Sequence, residues 1–169
     1  MRCEKAKKSS ATTKGWAGPR PAPRDAAATM FPTPEEAEYA FYEAMRQGDL
    51  AMMMRVWGDE DDVVCIHPGG LRVIGQAAVK EAWEHILANG PIAAFPMQAT
   101  VMTGVMSSVH VLIEQLMVDT PRGKDTLSFY TTNIYHKGPQ GWRMVVHHTS
   151  SAPRQAELFD LRGDSQTVH

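Results

Sequence analysis

The chain has 169 residues, 17 Lys and Arg against 19 Asp and Glu, and 43% hydrophobic residues. That is about one domain's worth of sequence, able to bury a core without disulfide staples, which excludes a wholly disordered chain. No run approaches the ~18 consecutive apolar residues of a membrane-spanning helix, and the two cysteines, Cys3 and Cys65, supply neither a disulfide framework nor a tetrahedral zinc site.

Charge is unevenly spread. Residues 1–29 contain no Ile, Leu, Val, Phe or Tyr and hold seven Lys/Arg against two Asp/Glu, whereas 31–169 hold ten against 17. A segment with so little to bury cannot offset its ordering entropy, and Pro19-Arg20-Pro21-Ala22-Pro23-Arg24 favours extended backbone. Residues 1–30 are therefore expected to be a disordered basic extension. The acidic remainder argues against nucleic acid as the main ligand. No apolar stretch of about 7–15 residues follows the N-terminal charges, as a secretory leader requires, so the expected location is cytoplasmic. A helix-start signal follows directly on Met30, which suggests that translation begins there and that 1–29 are an upstream extension. N-terminal sequencing of natively expressed protein would refute this if residues 1–29 were retained.

In Thr33-Pro34-Glu35-Glu36, Thr33 caps a helix, Pro34 takes its first position and Glu36 completes a capping box. Ala37, Phe41 and Met45, with Ala40 and Ala44, form its apolar stripe, and Gly48 ends it. Asp49 caps a shorter helix whose face is Leu50, Met53, Met54 and Trp57, stopped by Gly58. After the acidic turn 59–62, Val63-Val64-Cys65-Ile66-His67 reads as a strand broken by Pro68-Gly69-Gly70, and 71–74 as a second short strand closed by Gly75. A third helix, 76–89, buries Val79, Trp83, Ile86 and Leu87 and stops at Asn89-Gly90-Pro91.

Beyond Phe95 the pattern becomes β. Segments 97–106, 109–118, 126–136 and 142–150 are separated by short turn signals, which require antiparallel neighbours. Helices first and strands last make an α+β domain over 31–152, with helices on one face of the sheet and a polar tail at 153–169.

Several of these stretches resemble the SnoaL-like group of the nuclear-transport-factor-two-like superfamily, relatives of polyketide cyclases and ketosteroid isomerase. They are Phe41-Tyr42-Glu43-Ala44 with Gly48-Asp49, then Asp62 through Gly70, and Gly75 through Trp83. The last are Thr132-Asn133-Ile134-Tyr135, Gly141-Trp142-Arg143 and His147-His148-Thr149-Ser150. The resemblance spans roughly 33–152 and implies a cone-shaped, cystatin-like roll, with three helices wrapped by a curved antiparallel sheet. It also implies a pocket at the wide end and homodimers packed through the outer sheet face. The named relatives use an acidic residue as base, and this sequence offers no aspartate at a matching interior strand position.

Strand alternation sorts the polar candidates. On the last strand Trp142, Met144, Val146, His148 and Ser150 share the more apolar face, so His148 is expected inside, while His147 is expected on the dimer surface. His67 ends the first strand beside a breaker, and Glu114 is in phase with Leu112 and Leu116. His148 and His67 are thus the candidate catalytic acid/base groups, and Trp57, Trp83, Glu114, Tyr130, Asn133 and Ser150 the candidate pocket lining. The register of 126–136 leaves Tyr130 and Asn133 as alternatives, with Tyr130 favoured inward. His110 is expected at a strand end. A metal site of His67, His148 and Glu114 is a weaker alternative; no metal or cofactor is expected. The expected ligand is a small apolar or carbonyl-containing molecule. The non-enzymatic alternative is a dimerisation or ligand-sensing module, its cone filled by Trp57, Trp83, Phe95 and methionines.

Overall fold

The computed structural model describes residues 30–153. The expected basic extension and polar tail therefore lie outside the described residues, apart from Met30 and Pro153. The element order is α1 (Pro34–Gln47), α2 (Leu50–Val56), β1 (Val64–Ile66), β2 (Arg72–Ile74), α3 (Gln76–Leu87), β3 (Ala93–Thr103), β4 (Ser107–Thr120), β5 (Gly123–Gly138) and β6 (Gly141–Ser151). This is the α+β arrangement expected, with three helices and a six-stranded sheet ordered β2-β1-β6-β5-β4-β3. All pairs are antiparallel except β1 with β6. No helix among the described residues is long and apolar enough to cross a membrane.

Local chemistry sets the helix ends. The Glu36 amide donates to the Thr33 hydroxyl at 3.2 Å, and the Met52 amide to the Asp49 carboxylate at 2.9 Å. Gly48 closes α1 at φ 66°, a left-handed conformation that glycine adopts without steric penalty. Trp57, expected on the face of the second helix, instead leaves it in extended conformation and bridges to Met144, while the Gly58 amide donates to the Met144 carbonyl at 2.9 Å. The helical corner is thereby stitched to the sheet. The core lies between the helices and one sheet face, where Phe41, Met45, Met53, Trp83, Cys65, Leu112, Tyr135 and Met144 pack together.

Two strands depart from simple alternation. In β3, Met97 pairs with Ile113 and Thr100 with Val111, and Gln98 between them has φ 49°. The strand also starts and ends earlier than its sequence suggests. Thr103 pairs with Ser108 and the Gly104 amide donates to the Ser107 carbonyl, so the turn falls at 104–106 and both serines belong to β4. In β6, Met144 pairs with Tyr135 but Val146 with Ile134, which makes Val145 an extra residue. Such a bulge places two residues opposite one and resets which face the following side chains point to. Trp142 and Met144 are buried before it; His147 and Thr149 are buried after it, and His148 and Ser150 are exposed.

Candidate functional site

A cavity of about 240 Å³ opens between the helices and the inner sheet face. Its apolar wall comes from Met45 of α1, Trp83 and Ile86 of α3, Ile92, Leu116 of β4 and Phe129 of β5. Its polar groups are His67 just beyond β1, Glu114 of β4, and His147 and Thr149 of β6. The aromatic rings form a cluster: His67 meets Trp83 edge-on at 4.9 Å and His147 at 5.6 Å, while Phe41 lies 5.0 Å from His147.

Glu114 is 4% exposed and accepts a hydrogen bond from the Tyr42 hydroxyl at 3.0 Å. Burial disfavours its charged form and pushes the carboxyl up to about 7, against the smaller opposing effect of the Tyr42 hydrogen bond. Burial, followed by the charges of Glu114 and Glu38, raises the Tyr42 phenol well above its ordinary range, so it stays a donor. Burial also lowers His67, and it holds His147 down at about 3 with help from His67 and His148. Both imidazoles are therefore neutral at neutral pH. The Cys65 thiol, 3.3 Å from His67 Nε2, is pushed up to about 12 by burial and then by Glu114, and is an inert thiol rather than a nucleophile.

Behind the cavity runs a second buried polar group. Glu38 of α1 accepts from His110 Nδ1 at 3.0 Å, from the Asn133 amide at 3.1 Å and from the Tyr135 hydroxyl at 3.4 Å. His110 Nε2 lies 3.0 Å from Ser108, Asn133 Oδ1 accepts from His147 Nδ1 at 2.8 Å, and His147 Nε2 lies 2.8 Å from the Thr149 hydroxyl.

Of the residues proposed from sequence, the structure brings His67, Trp83 and Glu114 together at the cavity. It places His148 on the exposed outer face, because the Val145 bulge reverses the alternation, and Ser150 goes with it. His147, expected on the outer face, takes the inner position and is 1% exposed. Tyr130 also points outward, at 39% exposure, since it pairs with Ser150 and Ile113; Asn133 is the inward residue of that strand. Asn133 reaches the cavity through His147 rather than lining it, and Trp57 is fully buried in the core away from it. His110 is no strand-end residue but a core one, at 0% exposure. With His148 outside, His67, His148 and Glu114 do not converge, and no three or more His, Cys, Asp or Glu among the described residues are grouped as a metal ion would need. Glu38, Tyr42, His110, His147 and Thr149 were not singled out from sequence as site residues. Helical spacing carries the signal for the first two, since 38, 42 and 45 fall on the stripe of Phe41. Alternation from Glu114 carries it for His110.

The profile of the SnoaL-like domain matches residues 35–155. A solved structure from Thiobacillus denitrificans, provisionally described as a calcium/calmodulin-dependent protein kinase type II association domain, is 34% identical, with a TM-score of 0.66 and coverage of 73% of this chain and 98% of that one. One from Streptomyces avermitilis, provisionally described as a dehydratase from the NTF2-like family, is 26% identical, with a TM-score of 0.62 and coverage of 69% and 91%. F-box protein SKIP8 of Arabidopsis thaliana is 28% identical over 111 residues, 65% of this chain; the match spans 46% of that protein's length.

Glu114 and His147 make opposite contributions to the pH dependence of stability. Glu114 binds its proton more tightly folded than unfolded, so its contribution is fully present below about 4.5 and is lost as pH rises through about 7. His147 binds its proton less tightly folded, so its contribution is present above 6.5 and is lost as pH falls toward about 3. We expect E114Q to remove the loss on the alkaline side, on the order of 3 kcal/mol, measured by urea unfolding at pH 5 and pH 8. Equal slopes in wild type and variant would refute the Glu114 assignment.

Proposed function

The chain belongs to the SnoaL-like domain family, and from that premise we propose that its cavity binds a small, uncharged, carbonyl-containing molecule on which Glu114 moves a proton. The reaction class is isomerase, cyclase or hydratase. The observation that carries this reading is Glu114 itself, a carboxylate in an apolar cavity with its proton affinity tuned to neutral pH. A base with a pKa near ambient pH is both available and effective. As carboxylate, Glu114 takes a proton from the carbon beside the carbonyl. His67, held neutral by burial and lining the same cavity, retains a ring N–H to stabilise the enolate oxygen. Returning that proton to another carbon of the enolate completes an isomerisation; handing it to a β-hydroxyl group as the C–O bond breaks, so that water leaves, completes a dehydration. His148 has no part in this scheme. The provisional description of the Streptomyces relative as a dehydratase supports the same class of chemistry.

The cavity, at about 240 Å³, falls below the ~300–1,000 Å³ of pockets for drug-sized ligands, which favours a monocyclic or short-chain molecule. The acidic balance of 31–169 supports such a ligand over nucleic acid. The free thiol of Cys65 supports a cytoplasmic location.

Wild-type protein in D2O should accelerate deuterium exchange at the α-carbons of cyclohexanone, followed by proton NMR. E114Q should lower the rate by about 10²–10⁴-fold. Exchange no faster than in buffer would sink the enzymatic reading.

The outer sheet face favours a second role beside the first. Met97 and Met102 of β3, Val111 and Met117 of β4 and Tyr130 of β5 expose a broad apolar surface there. The 34% identical relative described as an association domain fits assembly through this face. We expect a homodimer, at twice the 18.7 kDa chain mass, by light scattering, and conversion to monomer by V111E. A wild-type monomer at 100 μM, a concentration of about the order where weak dimers persist, would exclude it.

A further inference from the structure

We infer that Glu38, although it does not line the cavity, is a positioning residue that fixes the direction of the hydrogen bonds reaching it. Thr149 then meets a ligand as an acceptor, and the cavity selects molecules bearing a hydroxyl or N–H group. The inference rests on the proposal that this cavity is the ligand site, and it narrows the ligand to hydroxylated or aminated carbonyl compounds.

Each link of the chain is forced by the one before. Three donors converge on the Glu38 carboxylate, from His110, Asn133 and Tyr135. A carboxylate only accepts, so Asn133 must turn its NH2 group toward it at 3.1 Å. The amide oxygen of Asn133 then faces His147 at 2.8 Å, and it too can only accept, so the proton of His147 sits on Nδ1. His147 is 1% exposed, packed against Phe41 and Trp83, and touches no carboxylate. It is held neutral, so Nε2 carries a lone pair and accepts the Thr149 hydroxyl proton at 2.8 Å. That hydroxyl has one proton and it is committed, so toward the cavity Thr149 offers lone pairs alone. Had the imidazole been charged, or its tautomer reversed, Nε2–H would donate to Thr149 and free the hydroxyl proton to point at the ligand. A ligand carbonyl therefore finds no donor at Thr149 and is left to His67, while a ligand hydroxyl is satisfied at Thr149. The two ends of a hydroxy-ketone would thus be told apart.

Histidine-labelled protein reports this directly, because long-range proton–nitrogen NMR distinguishes the two neutral tautomers and the imidazolium. With His147 assigned by an H147Q control, wild type should show the neutral Nδ1–H form from pH 5.5 to 8, a range chosen to bracket about 6.5, the ordinary histidine value. An Nε2–H form or an imidazolium would overturn the inference. N133L cuts the chain between Glu38 and His147, and the Nε2–H form should then appear; an unchanged tautomer in a folded N133L protein would also overturn it. If N133L does not fold, the wild-type spectrum still decides. In the binding arm, cyclohexanol should bind about 3–10-fold more tightly than its methyl ether, the worth of one hydrogen bond. T149V should erase that preference. Equal affinity for both in wild type would overturn the inference while leaving the cavity as a ligand site. Failure of both to bind, with the expected tautomer present, would instead sink the cavity reading on which it rests.

Discussion

The structure is organised around one buried carboxylate. Glu38 projects from α1 into the sheet, where two strands bring it three donors: His110 from β4, and Asn133 and Tyr135 from β5. Leaving a charge in such a place without partners would be strongly unfavourable, whereas meeting all three donors is possible at only one rotation and one axial setting of the helix. Hydrophobic contacts from Ala37, Phe41 and Met45 supply the attraction between helix and sheet, but they are tolerant of small slips. The carboxylate is not. Once it is seated, Tyr42, one turn further along the same helix, is carried to Glu114, and the wall of the cavity follows.

The contrast between the two carboxylates then explains how one sheet face carries two kinds of polar chemistry. Glu38 is surrounded by donors and serves as a fixed anchor. Glu114 has a single donor and apolar neighbours, and burial leaves its proton loosely decided near neutrality. Groups whose environments are pushed apart in this way take on different roles even when they share a residue type. Nearness to the sheet is not what separates them, since Glu114 lies on its inner face and Glu38 reaches that face from α1; the number of hydrogen-bond donors is.

Much of the fold was legible in the sequence. Thr33, Pro34, Asp49 and Gly48 are local signals whose meaning depends on backbone hydrogen bonds close by in the chain, and they mark the helix ends where the structure has them. The alternation around Glu114 placed that residue inward for the same reason: β4 is regular across it. The failure at His147 and His148 has a physical cause. The bulge sits between a buried tryptophan–methionine pair and two identical imidazoles, in the doublet Val145-Val146, whose side chains suit either face. Nothing local says which valine is the extra one. Tyr130 was misplaced by the one-residue ambiguity of an unanchored hairpin, which pairing with β4 and β6 resolves. Glu38 was hidden by its company, since Glu35 and Glu36 beside it belong to a solvated first turn and only the fourfold helical spacing separates them.

The irregularity in β6 also determines how that strand tolerates changes in length. Val145 occupies a position that its neighbour β5 does not match, so excising it would close a regular ladder and leave each imidazole on its present side. Inserting one residue at the same place changes the parity of the strand by the same single step, so a regular ladder would again seat His147 within and His148 outside. Homologous chains that differ by a single residue here are therefore to be aligned by which histidine lies within, and not by the position of the doublet in the primary structure.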